Sequence, residues 1–380
     1  MTRMKTMTYK KLRVIISGGG TGGHIFPAIS IANRLKEVNP GTEILFVGAE
    51  GRMEMEKVPA AGYRIVALPI AGIRRQFSLQ NVWHNLKVPG KLISSIRKAG
   101  EIIDGFRPDA VIGVGGYASA PLLWKATSKK IPTLIQEQNG FAGLTNKLLS
   151  KRVGRICVAY DGMERFFPAD RITFSGNPIR KEIHEYTGKD RLEGLKFYGM
   201  HENKRHLLIV GGSLGSGTLN KAVRKWIETG CPGGENVEIL WQCGKYYKKG
   251  TDEFMEGWNL PGIHYSDFIA RMDLAYAAAD VIISRSGASS ISEICAAHKA
   301  AVFVPSPNVA EDHQTHNAMA LVRRNAALIV KDSEAEDNLF PIALELLNDR
   351  ERIREIEKNV APLARLDAAQ TIVDEVYKLI

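Results

Sequence analysis

Two glycine-rich turns, each closing an apolar run and opening a helix-like segment, carry the most legible chemistry in this chain of 380 residues. The first follows Leu12-Arg13-Val14-Ile15-Ile16-Ser17 and reads Gly18-Gly19-Gly20-Thr21-Gly22-Gly23-His24. The second follows His206-Leu207-Leu208-Ile209-Val210 and reads Gly211-Gly212-Ser213-Leu214-Gly215-Ser216-Gly217. Glycines in such a turn bring main-chain N–H groups to a ligand, and the helix behind adds the positive end of its dipole, so each turn is a candidate anion cradle. A third turn, Gly113-Val114-Gly115-Gly116-Tyr117, ends another strand-like run in the first half. One such turn alone more often just reverses the chain, whereas three together argue for a ligand cleft.

The spacing of Gly18, Gly20 and Gly23 satisfies the dinucleotide pattern G-x-G-x-x-G, which keeps a nicotinamide dehydrogenase among the readings. The acidic residue that should grip a ribose fits poorly, because Glu50 stands beyond Gly48-Ala49, further along than the motif requires. Neither turn ends in Gly-Lys-Ser or Gly-Lys-Thr, which disfavours ATP hydrolysis. In open α/β sheets ligands sit beyond the carboxyl ends of the strands, so turns from two such domains would line one gap.

The elements that must position these turns follow from periodicity. Short β-branched runs near 12–17, 43–47, 63–68, 109–114, 132–136, 155–159 and 171–174 alternate with helix-period segments near 27–38, 52–61, 78–98, 118–128, 143–150 and 161–166. The second half repeats the logic with strands near 206–210, 236–242, 263–265, 280–284, 301–304 and 327–330. Its helices are read near 216–229, 270–278, 288–297, 312–325, 335–348, 350–359 and 366–380. That alternation predicts an α/β protein of two Rossmann-like parallel-sheet domains facing across a cleft. The polar stretch 185–205, with three glycines and no clear period, separates the halves. The expected organisation is a domain over 1–178, a second over 179–355, and helices over 356–380 that could cross back to the first.

Composition bounds the function classes. The chain is 44% hydrophobic and 24% charged, typical of globular domains, and its net charge of +10 asks for anionic partners. The uncharged run 110–124 is too short and too glycine-rich to span a bilayer, which takes about 20 apolar residues. The opening segment is basic, but the apolar run behind it is short and reads as a strand rather than a secretory leader. Cys157, Cys231, Cys243 and Cys295 are widely spaced without a C-x-x-C pair; free thiols in a reducing compartment are expected.

With these residues in hand, the sequence resembles the undecaprenyldiphospho-muramoylpentapeptide β-N-acetylglucosaminyltransferases of peptidoglycan synthesis. The likeness runs nearly end to end, through Gly19-Gly20-Thr21-Gly22-Gly23-His24, Gly115-Gly116-Tyr117, Gln136-Glu137-Gln138-Asn139 and Gly176-Asn177-Pro178-Ile179-Arg180. It continues through Gly211-Gly212-Ser213, Ser284-Arg285-Ser286-Gly287 with Glu293, and Asp312-His313-Gln314 with Asn317-Ala318. The resemblance implies the GT-B fold, with the nucleotide sugar mainly on the carboxyl-terminal domain and the lipid-linked acceptor on the amino-terminal one. It implies inverting transfer of GlcNAc from UDP-GlcNAc to the 4-hydroxyl of MurNAc in undecaprenyl-pyrophosphoryl-MurNAc-pentapeptide. By the same likeness Ser213 and its loop hold the donor diphosphate, Arg180 adds positive charge or orders the interdomain joint, and Glu293 accepts from the ribose. Backbone at Ile269 faces uracil, Gln314 reads the GlcNAc hydroxyls, Asn139 reaches the sugar, and Thr21, Gly22, Gly23 and Ala288 complete the donor contacts. Acceptor contacts fall to His24, Gly115, Gly116 and Tyr117.

His24 is the first candidate for the general base, since an unperturbed imidazole titrates near pH 6.5; its plainer role is to cap the loop. Glu137 is the rival, its plainer role being to brace a loop. His313 and His316, with Asp312 adjacent, have a spacing compatible with a metal on a helix. No distant third ligand stands out and no acidic pair suits a metal, so no tightly bound cofactor and no protein-held metal are expected.

Residues 70–98 mix Ile73, Phe77, Leu79, Trp83, Leu86, Leu92 and Ile96 with Arg74, Arg75, Lys87, Lys91, Arg97 and Lys98, without an acidic residue. Such a stripe suits either a helix pair burying its aromatics or an anionic bilayer surface. The lipid-linked acceptor that the resemblance implies favours the bilayer, with Ile73, Arg74, Arg75, Phe77, Trp83, Lys87 and Lys91 in contact. A peripheral position on the cytoplasmic face of the cell membrane follows, with room for other cell-wall synthesis proteins as partners. A UDP-GlcNAc 2-epimerase of the same architecture is the nearest enzyme alternative. A basic nucleic-acid- or membrane-binding protein is the non-enzymatic one, although aromatic and basic residues do not interleave on a strand face as single-strand platforms require, so no nucleic acid is expected.

Overall fold

The computed structural model describes residues 11–70, 88–212 and 214–380. Within them the chain divides into two compact units, one running to Ile179 and resuming at Asp367–Ile380, the other Arg180–Leu366. Among the described residues, the first unit contains β1 (Arg13–Ser17), α1 (Gly22–Val38), β2 (Glu43–Ala49), α2 (Glu54–Ala60), β3 (Arg64–Leu68) and α3 (Val88–Phe106). It continues with β4 (Ala110–Gly113), α4 (Ser119–Ser128), β5 (Thr133–Glu137), α5 (Leu144–Leu149), β6 (Arg155–Val158) and β7 (Ile172–Phe174). These strands form one parallel sheet in the order β3-β2-β1-β4-β5-β6-β7. Strand order reverses between β1 and β4, which puts the turns Gly18–Gly23 and Val114–Tyr117 side by side at the carboxyl edge.

Both faces of this sheet are covered, which is why its strands read as continuous apolar runs rather than alternating ones. One face packs Ile15, Val47, Val111 and Ile135 against Leu122, Leu123 and Ala126 of α4. The other packs Val14, Ile16, Phe46 and Ile112 against Ile25, Ala28, Ile31 and Leu35 of α1.

The second unit runs α6 (Gly188–Tyr198), β8 (Arg205–Val210), α7 (Gly217–Glu228), β9 (Val237–Gln242), α8 (Lys248–Met255), β10 (Ile263–Ser266) and α9 (Met272–Ala278). It then runs β11 (Val281–Ser284), α10 (Ala288–Ala296), β12 (Ala300–Phe303), α11 (His313–Val322), β13 (Leu328–Ile329), α12 (Ala335–Asn348) and α13 (Arg350–Val360). Its sheet has the order β10-β9-β8-β11-β12-β13, again all parallel and again reversing beside a glycine turn, here Gly211–Gly217. The last helix, α14 (Ala368–Leu379), belongs to the first unit and inserts Ile372, Val373 and Val376 into the α1 side of its core.

Several elements differ from the reading of the sequence. Helix α1 begins at Gly22, five residues before the expected 27, so two glycines of the cradle form its first turn and Pro27 lies inside it. The helix read over 78–98 is described from Val88 and runs on to Phe106, because Ala99 and Ile103 extend its buried face. Within 185–205 stands α6, held by a capping box between Thr187 and Asp190 and closed by Gly199 at φ 68°. A Cβ on Gly194 would stand 2.5 Å from the Leu274 carbonyl oxygen, so this glycine, read as a break, is what lets α6 lie close on α9. Helix α13, which the expected boundary at 355 would divide, clusters whole with the second unit, burying Ile353, Ile356 and Val360 and packing on β12.

Candidate functional site

In the first unit the turn after β1 is organised around α1. Thr21 is its N-cap residue in extended conformation, yet the hydroxyl makes no cap bond and instead meets His24 Nδ1 at 3.1 Å. The imidazole is thereby tied to its own loop, and the first amides of α1 are left without a side-chain cap. A neutral histidine that donates from Nδ1 to the Thr21 hydroxyl carries its basic lone pair on Nε2. The ring lies against the turn after β4, where a Cβ on Gly115 would come within 2.5 Å of His24 Cδ2 and one on Gly116 within 2.5 Å of the Gly19 carbonyl oxygen. Both glycines have φ near +90°, so strain and space alike reserve these positions for glycine. Tyr117 beside them is about half exposed.

The segment after β5 is a brace. Glu137 is buried, and its carboxylate accepts from Asn139 N at 3.1 Å, Gly143 N at 3.0 Å, Asn146 Nδ2 at 2.8 Å and Asn139 Nδ2 at 3.3 Å. Burial pushes its pKa up while these bonds pull it back, leaving it above the usual carboxylate range. A raised carboxyl can suit a base, but both oxygens here are committed to the chain around 139–146, and Glu137 has the geometry of a structural carboxylate. Its neighbours do the same work. Gln136 Nε2 donates to Asn177 Oδ1 at 2.9 Å, Asn177 Nδ2 to the Gln138 carbonyl at 3.0 Å, and Gln138 Nε2 to the Val114 carbonyl at 2.8 Å. The shared motif residues between β5 and Asn177 therefore lock the carboxyl ends of β4 and β5 to the end of the domain.

In the second unit Ser213 lies outside the described residues. Around it, Gly215 packs on the turn after β9, where an added Cβ would stand 2.3 Å from the Cys243 carbonyl oxygen. Ser216 caps α7 by accepting from Leu219 N at 3.3 Å, so the positive helix end points at the turn. Ala288 opens α10 directly after Gly287, and one turn later Glu293 is only 8% exposed, not a solvated helix residue. Its Oε2 accepts from the Tyr276 hydroxyl at 3.2 Å and its Oε1 pairs with Arg180 Nε at 3.4 Å. Burial raises the Glu293 pKa, against the pull of the guanidinium and the hydroxyl. A carboxylate has about four acceptor positions, so two bonds leave it capacity for a ligand's hydroxyls.

Gln314 Oε1 accepts from Ser306 N at 2.9 Å, and the Gln314 carbonyl takes the Ser286 hydroxyl at 2.9 Å. This ties α11 to the turn that opens α10. Ile269 is buried in the loop between β10 and α9. Asn139 lies in the first unit, away in sequence from this cluster. Asp312 accepts from the Thr315 hydroxyl at 2.8 Å, and among the described residues no three His, Cys, Asp or Glu side chains are grouped to hold a metal ion.

Of the basic and apolar stripe, Ile73, Arg74, Arg75, Phe77, Trp83 and Lys87 lie outside the described residues. Lys91, Leu92 and Ile93 are exposed on α3, Ile93 by 71%. Among the described residues no helix is long and apolar enough to cross a membrane. Two residues that the sequence did not single out are central here. Tyr276 orients Glu293, and Glu54 accepts from the main chain of the first glycine turn. Neither has a local spacing signal, because each partnership joins separate elements.

Two parallel-sheet α/β units, each with glycine turns at its point of strand reversal, define the class of GT-B glycosyltransferases. The profile of the glycosyltransferase family 28 N-terminal domain matches residues 14–158, and that of the family 28 C-terminal domain matches 206–372. The chain is 51% identical, over 98% of its length and 99% of the relative's, to the UDP-N-acetylglucosamine--N-acetylmuramyl-(pentapeptide) pyrophosphoryl-undecaprenol N-acetylglucosamine transferase of Parabacteroides distasonis. Among solved structures it matches MurG of Acinetobacter baumannii at TM-score 0.76 and 28% identity, covering 97% of this chain and 100% of that one. A UDP-N-acetylglucosamine 2-epimerase matches at TM-score 0.63 and 12% identity over 97% and 95% of the two chains, a likeness of fold alone. The chain belongs to glycosyltransferase family 28 and, within it, to the MurG family.

Proposed function

We propose that this protein transfers N-acetylglucosamine from UDP-GlcNAc to the 4-hydroxyl of MurNAc in undecaprenyl-pyrophosphoryl-MurNAc-pentapeptide, with inversion at the sugar's anomeric carbon. The observation that carries the reading is near-full-length 51% identity to a transferase of that name, on a fold with glycine turns at both switch points. In this reading the second unit holds the donor. The turn around Ser213 and the amino end of α7 take the diphosphate, the backbone at Ile269 faces uracil, Glu293 accepts from the ribose, and Arg180 holds that carboxylate in place. Gln314, whose Oε1 is engaged by Ser306 N, presents Nε2 to the sugar, with Ala288 beside it. Asn139, Thr21, Gly22 and Gly23 complete the donor's surroundings from the first unit, where Gly115, Gly116 and Tyr117 receive the acceptor.

The acceptor oxygen forms its bond to the anomeric carbon as the bond from that carbon to the diphosphate oxygen breaks. The electron pair leaves with UDP, and the acceptor's proton goes to His24 Nε2. Oriented amides and a helix dipole stabilise the charge that develops on UDP, so no protein-held metal is required. The base is His24 rather than Glu137, whose oxygens are consumed by its own loop. We place the protein peripherally at the cytoplasmic face of the membrane; the exposed Lys91, Leu92 and Ile93 on α3 support contact with an anionic bilayer surface.

The test is incubation with UDP-GlcNAc, with chelator present, in the presence and absence of the lipid-linked acceptor. Formation of a β-1,4-linked disaccharide only with acceptor is expected. Conversion of UDP-GlcNAc without acceptor would favour epimerisation, and metal-dependent recovery of activity would remove the metal-free mechanism.

A further inference from the structure

The cradle under the first glycine turn is already occupied by one of the chain's own carboxylates. Glu54, the first residue of α2, is 1% exposed, and its Oε2 accepts from Gly20 N at 2.8 Å while its Oε1 accepts from Ala49 N at 3.0 Å. It thus joins the turn after β1 to the last residue of β2. The fit is tight on both sides. A Cβ on Gly19 would stand 2.1 Å from Glu54 Oε1, and one on Gly48 would stand 2.6 Å from its Cγ. Gly19 in turn bears on Gly116, and Gly115 bears on the His24 ring. A continuous line of close contacts therefore runs from Glu54 through the glycine turn to the imidazole. Charge-assisted bonds from main-chain N–H groups are short and strong, and a buried carboxylate deprived of them would be costly, so this arrangement is strongly determined.

We infer that Glu54 is a positioning residue for the acceptor half of the site: an internal anion that fills the space beneath the first glycine turn and fixes how the amino end of α1 and His24 meet the acceptor. This rests on the proposed transfer reaction and deepens it. It also means that Gly20 N–H is spent within the chain, so any phosphate drawn to this turn is met by the amides further into α1.

The test is Glu54→Gln, which keeps the side chain's size but turns an N–H₂ toward one of two main-chain donors. Acceptor kcat/KM should fall about tenfold or more, the scale of one lost charge-assisted bond. The affinity and stoichiometry of binding of UDP itself, which the proposed reaction assigns to the second unit, should stay at wild-type values. Mere loss of folded protein would instead lower kcat and binding stoichiometry together and leave both KM values alone, and that result would overturn the inference. Gly19→Ala should reproduce the acceptor defect, and in a Glu54→Ala background its additional effect should shrink, because the clashing carboxylate is gone. A readout independent of turnover is the nitrogen NMR shift pair of the His24 imidazole, which should move in Glu54→Gln; identical shifts in both proteins would overturn the positioning role. Wild-type protein that fails to use the lipid acceptor would count against the proposed reaction, while the imidazole shifts would still decide the role of Glu54.

Discussion

At the scale of single residues, partnership rather than residue type separates the candidates. His24 and Glu137 are both side chains that can accept a proton, but Glu137 takes four bonds from its own loop whereas His24 is tethered at Nδ1 by Thr21. His24→Ala is therefore expected to lower turnover about 10²- to 10⁴-fold, measured with saturating donor and acceptor; undiminished turnover would remove it as the base. Asp280 gives a pH-dependent prediction. Burial pushes its pKa up, but His206 and Arg191 outweigh that and hold it below the ordinary value of 3.8. A depressed folded pKa means stability that is fully present above the unfolded value and lost as pH falls through the folded one. Asp280→Asn should thus be less stable than wild type at pH 7, and the gap should narrow below about pH 4; urea midpoints at the two pH values would show it. The motif residues were legible in the sequence because their order is distinctive. Glu54 and Tyr276 were not, since each acts on a residue brought near only by the folded sheet, Gly20 from another loop and Glu293 from another helix.

At the scale of elements, strands were the most readable, because a parallel sheet covered on both faces writes each strand as an unbroken apolar run. Helices without such a signature were harder. Helix α8 buries only Thr251 and Met255, so Lys248–Met255 shows no apolar stripe. Helix α6 was hidden by its glycines, although the Thr187 and Asp190 spacing and the closing Gly199 are a recognisable start and stop. Helix α14 carries the clearest energetic consequence, because its apolar face completes the core of a unit whose other strands and helices all end by Phe174. Ile372 is fully buried there. Ile372→Ala should cost the first unit about 2–5 kcal/mol, read as a lowered urea midpoint, while UDP binding to folded protein keeps its affinity. An unchanged midpoint would mean that α14 contributes nothing to that core.

At the scale of the whole molecule, the first six strands of one sheet and the six of the other follow the same order. Each reverses strand order beside a glycine turn, the location where open α/β sheets take ligands, yet the two turns are not equivalent. The first has Glu54 in its cradle and a histidine on its helix; the second faces the amino end of α7, in a unit that also carries the Glu293, Tyr276 and Arg180 cluster. From this asymmetry we assign the nucleotide to the second unit and proton removal to the first. The most direct measurement is calorimetric titration of UDP into wild type, His24→Ala and Glu293→Ala. Saturable binding with equal affinity is expected for wild type and His24→Ala, and about ten- to hundredfold weaker binding for Glu293→Ala. Absence of saturable UDP binding, or a loss in His24→Ala as large as in Glu293→Ala, would contradict the assignment.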